Sequence, residues 1–346
     1  MSNRNLAAVL LTAFCAAASA APADGLRLSG PFTHENLSIY LLHASGKQTT
    51  PTNLLTLREA MEQKKAAVYE TGTVQQLSIE NLSNQPVFVQ AGDIVKGGKQ
   101  DRVLTTDLLL PPHSGRLPIA SFCVEQGRWT KRGAESAAQF NASSAMAPTR
   151  ELKMAVREPE NQATVWKDVA EARGKLAAVA GSGVGAGVGS VESSRLETYA
   201  ALSSTSMQTT LEDRKVTKAI DQYVSALSKA VDATSDAVGY AYVVNGKFSG
   251  AEVYASADLF RRTWPKLLHS SATEALTERS QTAAPKPLDP AVIRKTLADA
   301  ENGRAGTARN NGSLLISKKE SDQSVLYVTA DRAAEGAWLH KSYIAK

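Results

Sequence analysis

Cysteine is nearly absent from this chain of 346 residues: there are two, Cys15 and Cys123. Cys15 lies in the N-terminal apolar run, so once that segment is removed Cys123 stands alone and no internal disulfide is possible. Long apolar runs are also missing. The one at Leu6–Cys15 is too short for a membrane span, which needs about 20 residues, and nothing later is apolar enough to cross, so no membrane span is expected. The five histidines stand at 34, 43, 113, 269 and 340 with no His-x-His or His-x3-His spacing, so neither a metal site nor a cofactor is expected. Gly-x-Ser-x-Gly is absent. Charge is not concentrated either. The net charge is +5, but Lys64-Lys65, Arg261-Arg262 and Lys318-Lys319 are isolated pairs, not the clustered footprint that nucleic acid requires. Nucleic acid is therefore not an expected partner.

What is present begins with Arg4, the short apolar run and Ala16-Ala-Ala-Ser-Ala20. A basic start, a brief apolar stretch and a small-x-small exit predict a signal peptide over residues 1–20 and an exported, periplasmic or extracellular protein. Enough chain remains for two domains or one large one.

Residues 21–133 read mainly as β. Short strands are expected at Leu37–Leu42, Ala66–Glu70, Val74–Glu80, Val87–Gln90, Val103–Leu110 and Arg116–Glu125, with turns at Thr71-Gly72-Thr73 and Asn84-Gln85-Pro86. A short helix is expected from Leu54 to Lys65, capped by Asn53 or Thr52. Residues 134–280 change character. Phe140–Arg150 is Ala/Ser-rich and is expected to be a loop, and Asn161–Leu176 a helix. Gly181–Gly189 reads as a flexible linker, because its spacing matches no phosphate-binding glycine motif. Val216, Ile220, Tyr223, Leu227 and Val231 form one apolar helical stripe. Asn245-Gly246 between two apolar runs predicts a hairpin over 237–254, followed by a helix over 257–280 that Pro265 is expected to kink or restart. A linker at 281–290 and a small α/β extension at 291–346, with a helix near Ala291–Ala300 and strands at Ser313–Ser317 and Val325–Ala330, complete the chain. The fold class expected is α+β: an N-terminal β-sandwich or barrel-like domain, then helices and a hairpin-helix unit.

The densest polar segment is Gln90–Arg102, with seven polar side chains and three glycines in thirteen residues. Gly97 and Gly98 permit positive φ and close approach, and Gln90, Asp93, Lys96, Lys99, Gln100, Asp101 and Arg102 supply both charge signs. If Glu125-Gln-Gly-Arg128-Trp129 converges on this loop, Arg128 and the flat ring of Trp129 suit a carboxylate, a sugar or an extended peptide. The expected function is a module that binds a small ligand or an envelope protein through this loop. The alternative is a hydrolase or transferase for an anionic substrate, using Asp93, Glu125 or Cys123. The competing structural reading is that these charges pair with one another and that Cys123 is a small core residue.

Three segments carry a family resemblance: Pro86–Arg102, Phe122–Trp129, and the hairpin-helix ending Leu259-Phe-Arg-Arg-Thr-Trp-Pro-Lys-Leu-Leu-His-Ser270. Together they resemble the bacterial ARG and Rhodanese-Phosphatase-superfamily-associated protein domain, over roughly residues 26–280. The resemblance implies a domain extent and no reaction. A Cys-x5-Arg phosphate loop at Cys123 is ruled out, since position 129 is Trp and the arginine stands at 128.

Overall fold

The computed structural model describes residues 26–44, 53–157, 162–181, 205–279, 286–332 and 337–346. The expected signal peptide, the glycine-rich stretch from 182 and the first half of the 281–290 linker lie outside the described residues.

The first strands are β1 (Arg27–His34) and β2 (Leu37–His43). β2 is buried at every position, so it needs a neighbour on each edge and cover on each face. It finds them far along the chain. β2 pairs with β1 on one side and, on the other, with the first strand of the predicted hairpin.

The intervening chain builds two smaller sheets. It runs β3 (Leu55–Thr56), α1 (Leu57–Glu62), β4 (Ala66–Thr73), β5 (Gln76–Asn81), β6 (Val87–Val89), β7 (Asp93–Gly97), β8 (Arg102–Leu104), β9 (Leu108–Leu110), β10 (Gly115–Cys123) and β11 (Phe140–Met146). The six-stranded sheet has the order β11-β7-β8-β10-β5-β4, and the three-stranded sheet β3-β6-β9. Leu55, Val68, Ile79, Val89, Leu104 and Ile119 draw both sheets onto one core. The predicted helix 54–65 is shorter than expected. Thr56 caps it through the Glu59 amide while Glu59 returns a bond to the Thr56 amide, a capping box that fixes the start at Leu57. The composition of Phe140–Arg150 predicts a loop, but Phe140–Met146 is a strand on β7, with Phe140 opposite Gly97.

A helical layer follows: α2 (Arg150–Ala155), α3 (Gln162–Gly181), α4 (Met207–Leu211), α5 (Arg214–Leu227) and a 3₁₀ turn at Ser228–Ala233. The predicted stripe is buried along its whole length, from Val216 to Val231. The hairpin β12 (Ala237–Val244) and β13 (Lys247–Tyr254) turns at Asn245 and Gly246, both at positive φ. It leads into α6 (Ala257–Thr277), capped by Ser256. Pro265 does not end this helix. The missing donor costs about 3 kcal/mol, but Leu259, Phe260, Trp264, Leu267 and Leu268 are all buried along α6, and each buried large side chain returns about 1.5–3 kcal/mol.

The C-terminal segment supplies α7 (Pro290–Glu301), β14 (Arg304–Asn311), β15 (Leu314–Glu320), β16 (Ser324–Asp331) and β17 (Trp338–Ala345). These strands continue the hairpin. The large sheet has eight antiparallel strands in the order β1-β2-β12-β13-β17-β16-β15-β14 and curls into a half-barrel. The fold is α+β.

Candidate functional site

β7 and β8 are antiparallel neighbours, with Val95 opposite Arg102, and residues 98–101 join them. A Cβ on Gly98 would run into the Phe140 ring, and Gly97 and Gly98 both have positive φ. Gly98 therefore accommodates the chain's own Phe140. The segment 125–132 does converge on this turn. Arg128 donates from Nε to Glu125 (2.8 Å), from Nη1 to the Gly98 carbonyl (3.2 Å) and from Nη2 to the Gly97 carbonyl (3.4 Å). Asp101, fully buried, accepts from the Gly97 amide (2.8 Å), from both terminal nitrogens of Arg132 (2.9 and 3.1 Å) and from Ser206 (2.6 Å).

Arg102 is also fully buried. It donates to Gln100 (3.3 Å) and to Cys123 Sγ (2.7 Å), and stands 3.6 Å from Glu70. Trp129 lies 5.4 Å from its guanidinium and 5.2 Å from the Lys99 ammonium. Lys96 turns away to Glu212 (2.6 Å). So Gly97, Gly98, Lys99, Gln100, Asp101, Arg102, Cys123, Glu125, Arg128 and Trp129 form one knot, and most of its charges are matched internally.

Cys123 is buried, and burial pushes its thiol up to about 11 against the pull of Arg102. Only the thiolate is nucleophilic. Alkylation of Cys123 at pH 8, followed by mass spectrometry, is expected to be negligible in the native chain and complete in denaturant. Native labelling at the denatured rate would contradict this burial.

Gln90 and Asp93 stand at the other end of β7, away from the knot. There a cleft of about 230 Å³ opens between α1 and α6. Three ion pairs line it: Arg58–Glu62 (2.7 Å), Arg262–Glu59 (3.2 Å) and Lys266–Asp93 (2.8 Å). Phe88, Pro265 and Leu267 add apolar surface. Gln90 is 4% exposed. Its Oε1 accepts from Tyr254 (2.8 Å), but its Nε2 has no partner among the described residues, a state that costs about 1–3 kcal/mol when left unanswered.

Sequence reasoning missed a second polar centre. His340 on β17 is sandwiched between Asp107 and Glu252, each at 2.7 Å, and stacks on Tyr254 at 4.7 Å. Asp107 also accepts from the Ala91 amide (2.8 Å) and Thr329 (2.6 Å), and Glu252 from Ser342 (3.0 Å). Burial alone would lower the pKa of His340, but the two carboxylates override it and raise it to about 9. With both ring nitrogens donating to carboxylates, the imidazolium has no free lone pair and cannot act as a base. It braces the β8–β9 connection against β13 and β17. The available signal was charge inside apolar strands, Glu252 in Gly-Ala-Glu-Val-Tyr and His340-Lys341 in β17, because such residues are buried only when paired.

Among the described residues no group of three or more His, Cys, Asp and Glu is placed to hold a metal ion, and no helix is long and apolar enough to cross a membrane.

Fold and geometry thus define an α+β protein with a self-paired charged knot and a separate ion-paired cleft. The chain belongs to the ARG and Rhodanese-Phosphatase-superfamily-associated Protein domain family, whose model matches residues 25–344. The family domain expected to end near 280 runs on because β14–β17 complete the large sheet. No curated protein and no solved structure matches the chain.

Proposed function

We propose that the protein is an exported binding module whose ligand enters the cleft at the root of the 90–102 loop. One observation carries the reading. Gln90, nearly all buried, lines the cleft, and its side-chain nitrogen has no hydrogen-bond partner among the described residues. A cleft with apolar walls and a few convergent polar groups is the usual form of a small-ligand site. The tip of the loop plays a different part. Its charges hold residues 97–102 and 125–132 together, and the two small sheets around their shared core serve as a barrel-like scaffold. Export is supported by the basic, apolar and small-residue pattern of residues 1–20.

The hydrolase or transferase alternative gains nothing from the geometry. Asp93 is bonded to Lys266, Glu125 to Arg128, and Cys123 to Arg102.

A thermal-shift screen with sugars, muropeptides, nucleotides, phosphoesters and metal ions tests the reading. A ligand at about 100 times its Kd adds roughly 2.7 kcal/mol of stability. The shift is expected to vanish in Asp93→Asn/Lys266→Met, which removes both charges together and leaves neither unpaired, and to persist in Lys99→Ala/Trp129→Ala. The opposite pattern would move the site to the loop tip.

A further inference from the structure

We propose that the cleft between α1 and α6 takes a small zwitterion bearing an amide, namely a short peptide with free termini. The inference rests on the binding reading above and names its ligand class.

Charge balance comes first. Three cations and three anions line the cleft, each already paired. A ligand with a single charge that enters such a pair leaves one protein charge over, and an uncompensated charge in a partly dry site is costly. A ligand with one charge of each sign exchanges partners and leaves none unmatched. The pairs are also graded by depth. Asp93 and Lys266 are 6% and 12% exposed at the inner end, whereas Arg58 and Glu62 are 37% and 52% exposed at the mouth. The inner ammonium has three donors, and one of them is used on Asp93. It suits the ligand carboxylate, and Glu62 at the mouth suits the ligand ammonium.

Hydrogen bonding and size narrow the class. The Nε2 of Gln90 is buried and unpartnered among the described residues; turned into the cleft it takes an acceptor on an uncharged group, which a peptide carbonyl supplies. Phe88, Pro265 and Leu267 offer apolar contact to a side chain. The volume of about 230 Å³ is far above the ~10–15 Å³ that holds one water and below the ~300–1,000 Å³ of drug-sized sites.

Alanyl-alanine is the probe, titrated by calorimetry into the full chain beside its N-acetyl and C-amide forms. The free dipeptide is expected to bind, with each cap weakening it tenfold or more. Glu62→Gln, at the exposed mouth, is expected to weaken the free dipeptide about tenfold and leave binding of the N-acetyl form unchanged, which a merely structural change would not do. Capped and free forms binding alike would overturn the zwitterion and leave the cleft standing. So would a sugar or nucleotide that binds the native chain and is lost in Asp93→Asn/Lys266→Met. If no probe binds, or none is lost in that variant or in Gln90→Met, the ligand class and the binding site both fall.

Discussion

His340→Ala is expected to destabilise the protein by about 3–5 kcal/mol, the range for breaking a buried ion pair from one side. The substitution strands two carboxylates, Asp107 and Glu252, both nearly inaccessible to water. The same triad predicts an alkaline instability. The folded pKa of His340 is raised from 6.5 to about 9. Its contribution is therefore complete below pH 6.5 and is lost as pH rises through about 9. A shift of that size corresponds to an order of 3 kcal/mol. Asp107 is moved the other way. Burial alone would raise its pKa, but the neighbouring imidazolium holds it below the usual carboxylate range. Its contribution is present above pH 3.8 and is lost in strong acid. Urea unfolding of both chains from pH 6 to 10 measures this. The native chain should lose stability across the alkaline limb, and His340→Ala should be nearly flat there. Equal slopes would show that His340 is not the group titrating.

Asp101→Ala is expected to cost about 3 kcal/mol. It removes the acceptor that holds Arg132, Ser206 and the Gly97 amide together. The effect falls at the low end of the buried-pair range because Arg132 is 26% exposed and water answers part of its charge. Asp101→Asn should cost less, since it keeps one acceptor. Denaturant unfolding at pH 7 decides between the two readings of the loop. A change within about 0.5 kcal/mol, as for an ordinary surface substitution, would mean that the loop charges are solvated and free to meet a ligand.

The two substitutions also mark where the sequence was legible. The hairpin 237–254 and the Val216–Val231 stripe were readable because their causes are local: positive φ at Asn245-Gly246 in one case and a 3.6-residue period in the other. The convergence of the 90–102 loop with 125–129 was readable for its 97–102 end, because both segments flank strands of one sheet. The Asp93–Lys266 pair spans 173 positions and the Asp107–His340 pair 233, and no periodicity reports a partner at that distance. β14 was missed because Arg-Ala-Gly-Thr-Ala-Arg-Asn-Asn is an exposed edge with no apolar alternation. β17 was missed because His340 and Lys341 interrupt its apolar pattern, and those are the residues whose burial depends on partners elsewhere. The glycines of the 90–102 loop pointed to a close approach, but Phe140, not a ligand, is what approaches Gly98.

The central claim is that the cleft, and not the charged turn, meets the ligand. Amide hydrogen exchange of the full chain, with and without whichever compound the screen returns, tests it most directly. Slowed exchange in residues 56–62, 88–93 and 262–267, with residues 97–102 and 125–132 unchanged, is the predicted result. Protection confined to 97–102 and 125–132 would contradict the claim and return the site to the loop tip.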